Sequence, residues 1–276
     1  MNGTSKLFLT PAETLQAVIA AGRRVFHQSM GRTFILSLLA GFYISFGAQL
    51  STMVSHDAAR YAGVGVSRLL AGSVFSIGLM LVVICGAELF TGNSLLAAAA
   101  LHGEISWWKL LENWFVVLVG NCIGSLFMAW LMFESRLWET GAVADHAVLI
   151  ATAKCKLPFS VAFIRGILCN WLVCLAVCMA TAARDVSGKL ASCYVPIMTF
   201  VASGFEHSIA NMYFIPVGLM ISDHTGKDID SSLNWTSFLV DNVIPVTLGN
   251  IVGGVVFVAC AYWYIHNSSR SSSQII

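Results

Sequence analysis

Charge is what this chain has least of. Only 11% of its 276 residues are Asp, Glu, Lys or Arg, against 57% hydrophobic. Soluble domains carry about 25% charged residues, so this chain cannot cover a water-facing surface. At a net charge of +1 it has no basic excess to recruit nucleic acid. Seven of the eight cysteines sit in apolar runs (Cys85, Cys122, Cys169, Cys174, Cys178, Cys193 and Cys260). They follow no zinc-site spacing and read as small apolar packing residues. Cys155 has no evident disulfide partner. No metal triad, nucleophile elbow, phosphate loop or haem ligand pair is present, which argues against an enzyme and against a cofactor or metal. The basic-then-apolar order of a cleavable signal peptide is missing from the N-terminus. What the chain does have is long apolar runs, which make it an all-α polytopic membrane protein.

Thr10-Pro11-Ala12-Glu13 starts a helix: Thr10 can cap it, Pro11 suits its first position and Glu13 completes a capping box. The helix to about Met30 is short and amphipathic, with Leu15, Val18, Ile19 and Val25 against Gln16, Arg23 and Arg24. It is expected to lie on the membrane surface before the first span. Six apolar segments follow, at about 33–55, 66–101, 108–134, 160–183, 190–222 and 241–265. A span needs roughly 20 residues, so the second and fifth are too long for one straight helix. Each carries polar and glycine residues in its middle, and both read as broken helices lining a cavity.

The two breaks share the pattern Gly-x-Glu-x-x-x-x-Asn, at Gly86 to Asn93 and at Gly204 to Asn211. The third and sixth segments share Gly120-Asn121-Cys122-Ile123-Gly124 and Gly249-Asn250-Ile251-Val252-Gly253. Three spans per half force opposite orientations, so the chain reads as a 3+3 inverted repeat (about 33–134 and 160–266) behind an N-terminal segment, 1–32. Interrupted hydrophobic segments at matching positions of two halves mark a permeation site. Lys6, Arg23, Arg24 and Arg32 precede the first span, which argues for a cytoplasmic N-terminus. Six spans then return the C-terminus to the same side. The tail, 267–276, is expected to be disordered and cytoplasmic.

Glu206 and His207 fall inside the fifth segment. A charged group at that depth costs about 3 kcal/mol or more, so both are functional candidates by default. His207 is the only histidine in a span core, and histidine exchanges protons near neutral pH. An anion crosses an apolar barrier more easily if it accepts a proton or a hydrogen bond there. His207 is therefore expected to protonate, or hydrogen-bond to, an anion at mid-pore. Glu88 and Glu206 occupy equivalent repeat positions and are expected to anchor the broken loops by accepting backbone N–H bonds. Asn170 and Asn250 are amides within spans, and interhelical hydrogen bonding is one reading of them.

Gly86 to Thr91, Ala202 to Met212 and Gly249 to Gly254 resemble the formate/nitrite transporter family, over about residues 11 to 266. Within it the chain is most similar to bacterial formate channels, through Phe205 to Gly218 and Asn242 to Gly254. Nitrite and hydrosulfide channels are near neighbours, and Gly92-Asn93 points toward those branches. The resemblance implies an aquaporin-like subunit, a homopentamer with one pore per protomer, and a multi-pass place in the bacterial inner membrane. It assigns Thr91 to bond His207 or the substrate, and Asn170 and Asn250 to the pore surroundings. It assigns Phe75, Leu79, Leu89, Phe90 and Phe200 to hydrophobic constrictions. Lys154, with Lys156 as a rival, takes the place of the vestibule cation. The expected activity is pH-modulated passage of formate, with nitrite, hydrosulfide or proton-coupled symport as alternatives. The amino-terminal helix is expected to plug the pore at low pH and leaves room for a cytoplasmic regulatory partner.

Overall fold

The computed structural model describes residues 6–226 and 230–267, whose regular structure is helical, with one isolated bridge between Phe8 and Ala183. The expected tail, with Lys227 and Asp228, lies outside the described residues except for Asn267. Helix α1 (Pro11–Phe26) begins at the expected capping box: the Thr10 hydroxyl accepts from Glu13 N and the Glu13 carboxylate accepts from Thr10 N. Sequence alone set its apolar face against lipid. In the structure Leu15, Val18 and Ile19 are instead buried against Leu95, Leu96, Ala98 and Cys178. Arg23 also reaches Glu104 at 2.5 Å. An amphipathic stripe suits either partner, and protein occupies it here.

Among the described residues, five segments are long and apolar enough to cross a membrane: Met30–Ser55, Ala58–Gly86, Trp107–Glu134, Phe159–Ala182 and Trp235–Asn267. The first is α2, whose 26 residues make about 39 Å of helix, more than the roughly 30 Å hydrocarbon core. The second combines α3 (Ala58–Phe75), α4 (Ile77–Leu81) and a π turn at Val82–Gly86. It starts eight residues before the apolar run does, with a kink at Gly63. The third is α7 (Trp107–Glu134) and the fourth is α9 (Phe159–Ala182). The fifth strings α12 (Trp235–Ser237), α13 (Ile244–Gly254) and α14 (Ala261–Asn267) together through π turns at Phe238–Val243 and Val255–Cys260.

The two breaks expected from sequence are present. Gly86 ends its helix at φ +80°, then Ala87 and Leu89 run extended before α5 (Phe90–Asn93) and α6 (Ala97–Leu101) resume. Gly204 closes α10 (Val186–Ser203) at φ +77°, and α11 (Ser208–Thr225) restarts after an extended His207. Only glycine takes the left-handed turn without strain.

The 3–4 connection holds a helix that the sequence reading passed over, α8 (Val143–Cys155). Its residues at every fourth position, Val143, Ala147, Ala151 and Cys155, are buried.

Two helix pairs cross closely through glycines. On α2 and α7, a Cβ at Gly41 would lie 2.5 Å from Asn121 O, and one at Gly124 would lie 2.4 Å from Leu38 O. On α9 and α13, a Cβ at Gly249 would lie 2.1 Å from Phe163 O. Small residues let helices pack in lipid, where no hydrophobic drive favours association.

Candidate functional site

Each break leaves backbone groups without a helical partner, and burying them unpaired costs about 1–3 kcal/mol each. Two asparagines resolve this in the same way. Asn121 accepts from Phe90 N at 2.9 Å and donates to Glu88 O (2.9 Å) and Ser37 O (2.8 Å). Asn250 accepts from Ser208 N at 3.0 Å and donates to Glu206 O (3.0 Å) and Gly166 O (2.8 Å). Each therefore ties a break to the helix that crosses behind it.

The glutamates follow the same rule with side-chain partners. Asn93 Nδ2 donates to Glu88 Oε2 and Asn211 Nδ2 to Glu206 Oε2, both at 2.7 Å. Sequence alone had these carboxylates accepting from backbone N–H groups. In the structure they take an amide five residues ahead, because Asn121 and Asn250 already serve the backbone. Asn93 and Asn211 donate in addition to Asn113 and Asn242. These two were missed, and the only available signal was an amide inside an apolar run.

The glutamates differ in one partner. Lys154 Nζ lies 2.9 Å from Glu206 Oε2, with side-chain exposures of 16% and 5%. It also sits 5.5 Å above the Phe214 ring. Glu88 has no cation within ion-pair distance among the described residues. Lys156, the rival for the vestibule, pairs with Asp230 outside the membrane-spanning segments. That contact, with Ser232, holds the Asp230 carboxyl down at about 2.

Thr91 and His207 meet: Oγ1 and Nε2 are 3.0 Å apart and both residues are buried. His207 Nδ1 accepts from Ala210 N at 3.1 Å, so the imidazole is itself the N-cap of α11. In a neutral ring that contact places the proton on Nε2. Nε2–H then donates to Thr91 Oγ1, and the threonine hydroxyl keeps its own hydrogen to offer.

Two cavities lie near this pair, one reaching His207 and the other ending at Leu89 and Gly92. One, of about 320 Å³, is lined by Lys154, Phe75, Phe200, Glu206 and His207. The other, of about 480 Å³, is lined by Glu88, Leu79, Leu89, Gly92 and the α1 residues Val18 and Val25. Phe75 and Phe200 meet edge-on at 5.9 Å, and Phe200 stacks on the His207 ring at 5.9 Å. Phe90 packs edge-on against Trp114 at 6.2 Å, with its N–H on Asn121. Asn170 donates to Thr91 O (3.2 Å), Ser94 Oγ (3.2 Å) and Asn250 O (2.6 Å). Asn170 and Asn250 thus tie helices together with their amides.

Comparison with known proteins gives a consistent result. A family model described as formate/nitrite transporter matches residues 12–264. A probable formate transporter of Methanothermobacter thermautotrophicus is 42% identical over 94% of this chain and 97% of its own. The formate channel FocA of Escherichia coli K12 is 38% identical over 85% of this chain and 86% of its own. A solved pentameric formate channel with formate bound is similar at a TM-score of 0.77 and 39% identity, covering 86% of this chain and 98% of that one. A solved FNT family ion channel is similar at 0.80 and 30% identity, covering 92% and 98%.

Proposed function

The chain belongs to the formate/nitrite transporter family, and from that premise we propose that it is a homopentameric channel passing formate through each protomer. The pentamer and the substrate are supported by the solved relative described as a pentameric formate channel with formate bound. We read each protomer as six spans in two inverted halves, with α10 and α11 together making the fifth. The matched ties of Asn121 and Asn250 support this reading. The Glu88 side faces the cytoplasm, since α1 borders that cavity and the basic residues leading into the first span, Arg23, Arg24 and Arg32, favour the inner face.

One observation carries the mechanism: Thr91 and His207 join the two breaks, with a cavity walled by Phe75 and Phe200 that reaches His207 and a second, walled by Leu79 and Leu89, that ends at Gly92 beside Thr91. Stripping water from a small anion costs several kcal/mol, and apolar walls offer nothing in return. The Thr91 hydroxyl and the imidazole are the donors available at that point. His207 acts there as a neutral donor that shares its Nε2 hydrogen. Protonating Nδ1 would remove the acceptor that caps α11 and aim an N–H at Ala210 N–H. pH then acts on the anion first, since a protonated weak acid crosses without the charge penalty. Helix α1 supplies Val18 and Val25 to the cytoplasmic cavity, which suits it to close that side at low pH.

The test is flux of formate, nitrite and hydrosulfide into proteoliposomes at two pH values, for the native chain and for Thr91→Val and His207→Asn. Formate should be fastest. Loss of the Thr91 hydroxyl, a hydrogen bond of about 1.4 kcal/mol, should slow it about tenfold. Nitrite or hydrosulfide moving fastest would place the chain in a neighbouring branch. Flux that saturates and stops without a proton gradient would make it a symporter. Unchanged formate flux in both variants would remove the pair from the mechanism.

A further inference from the structure

The cavity on the Lys154 side carries more positive charge than this mechanism uses. Arg68, Lys154 and Arg165 line it, and Glu206 is the one carboxylate among its described lining residues. Glu206 is taken by Lys154, which leaves two guanidinium groups. Among the described residues, neither Arg68 nor Arg165 has a carboxylate within ion-pair distance or a side-chain hydrogen bond. The cytoplasmic cavity is balanced, with Arg32 against Glu88.

Arg165 lies within a span, and Arg68, exposed on α3, sits at the start of the second apolar run. Arg165 is the seventh residue of Phe159–Ala182, about 9 Å into the helix. Its backbone carbonyl accepts from Glu206 N at 3.2 Å, which fixes its position beside the second break. Cations inside spans are rare and persist where they pair or serve a pathway. These two have no pair among the described residues and open onto a cavity that ends at His207.

We propose that Arg68 and Arg165 form an anion-docking station in this cavity, separate from the Thr91–His207 pair, for planar monoanions with two oxygens, such as formate. The reason is geometric. A guanidinium presents parallel N–H donors that match two oxygens on one centre, and a lysine ammonium does not. Nitrite has the same two-oxygen edge, and hydrosulfide has one sulfur and gains only the charge. The station rests on the anion-channel reading. It adds that the Lys154-side cavity sorts anions by shape before the filter sees them, and that two positive charges in a low-dielectric funnel raise their local concentration.

The experiment compares flux against concentration for formate and hydrosulfide in proteoliposomes of the full chain, at low and high ionic strength. The proteins are the native chain, Arg68→Gln, Arg165→Gln and Arg165→Lys. Each Gln variant should raise the half-saturating formate concentration roughly tenfold at low ionic strength, with the maximal rate within about twofold. The effect should shrink as salt rises, as screening requires. Arg165→Lys should restore hydrosulfide capture and leave formate capture weak. It also serves as the check that the position tolerates substitution. Unchanged half-saturation for formate in both Gln variants overturns the station. Equal rescue of both anions by lysine overturns the two-oxygen recognition. If the native chain passes no anion, the channel reading fails by itself. Formate-induced thermal stabilisation that is present in the native chain and lost in Arg165→Gln would still support the station, and its absence would overturn that too.

Discussion

Replacing Glu206 with Gln removes one charge from a buried pair and leaves Lys154 without its counter-ion. Replacing Glu88 with Gln removes the equivalent carboxylate where no cation lies within ion-pair distance among the described residues. The two substitutions are chemically identical and occupy matching places, so their difference isolates the pair. Breaking a buried ion pair from one side costs about 3–5 kcal/mol. Lys154 borders a cavity and keeps its contact with the Phe214 ring, so the lower end, about 3 kcal/mol, applies. At Glu88 a Gln carbonyl can still accept from Asn93, now 2.7 Å from the carboxylate, and the loss is about 1 kcal/mol of charge assistance. For a chain of this size the gap of about 2 kcal/mol corresponds to about 4–8 °C in midpoint. Thermal unfolding of the purified protein in one detergent is the assay, with Glu206→Gln melting below Glu88→Gln. Midpoints within a degree of each other, or the reverse order, would refute the reasoning that the Lys154 contact sets the difference.

Asn250→Ala orphans Ser208 N and Glu206 O, a loss of about 2–6 kcal/mol in total. It should lower the melting midpoint and cut formate flux together, since His207 lies between the two freed groups; unchanged flux in a folded protein would disprove the tie. Gly249→Ala would push a Cβ to 2.1 Å from Phe163 O, whereas Gly31 has nothing within 4 Å. The first should abolish accumulation of folded protein and Gly31→Ala should leave it intact, as size-exclusion profiles would reveal. Glu13 is held at about 2, below its ordinary 4.5, first by Lys6 and then by Thr10. Its folded value is depressed, so its contribution is present above about pH 4.5 and is lost only as pH falls toward 2. Glu13→Gln should therefore leave the pH dependence of flux between 7 and 5 unchanged, and a shifted midpoint there would contradict this.

Much of the site was written in the chain because its chemistry is local. The repeated Gly-x-Glu-x-x-x-x-Asn is a physical unit: the glycine turns left-handed, and the glutamate accepts from the asparagine five residues on. The recurring Gly-Asn of the third and sixth segments marks the side chains that hold each break. What escaped was long-range or short in length. Lys154 and Glu206 are 52 residues apart, and no local pattern encodes their contact. Helix α8 escaped because a search tuned to spans overlooks thirteen residues, although its four-residue apolar spacing was there to see. The position of Phe90 follows from backbone: extended Leu89 borders the cavity, and the next residue opens α5 and is buried against Trp114.

The π turns at Val82–Gly86, Phe238–Val243 and Val255–Cys260 each hold a residue more than α geometry requires. Read as history, such a turn is where an inserted residue was absorbed without dragging the rest of the helix around. Undoing one would rotate everything beyond it by about 100°. At Val255–Cys260 that would swing Tyr262 off the patch it shares with Thr14 and Leu15. Lineages descended from a common ancestor of this chain should therefore gain and lose single residues at these three turns, and hold their length everywhere between them.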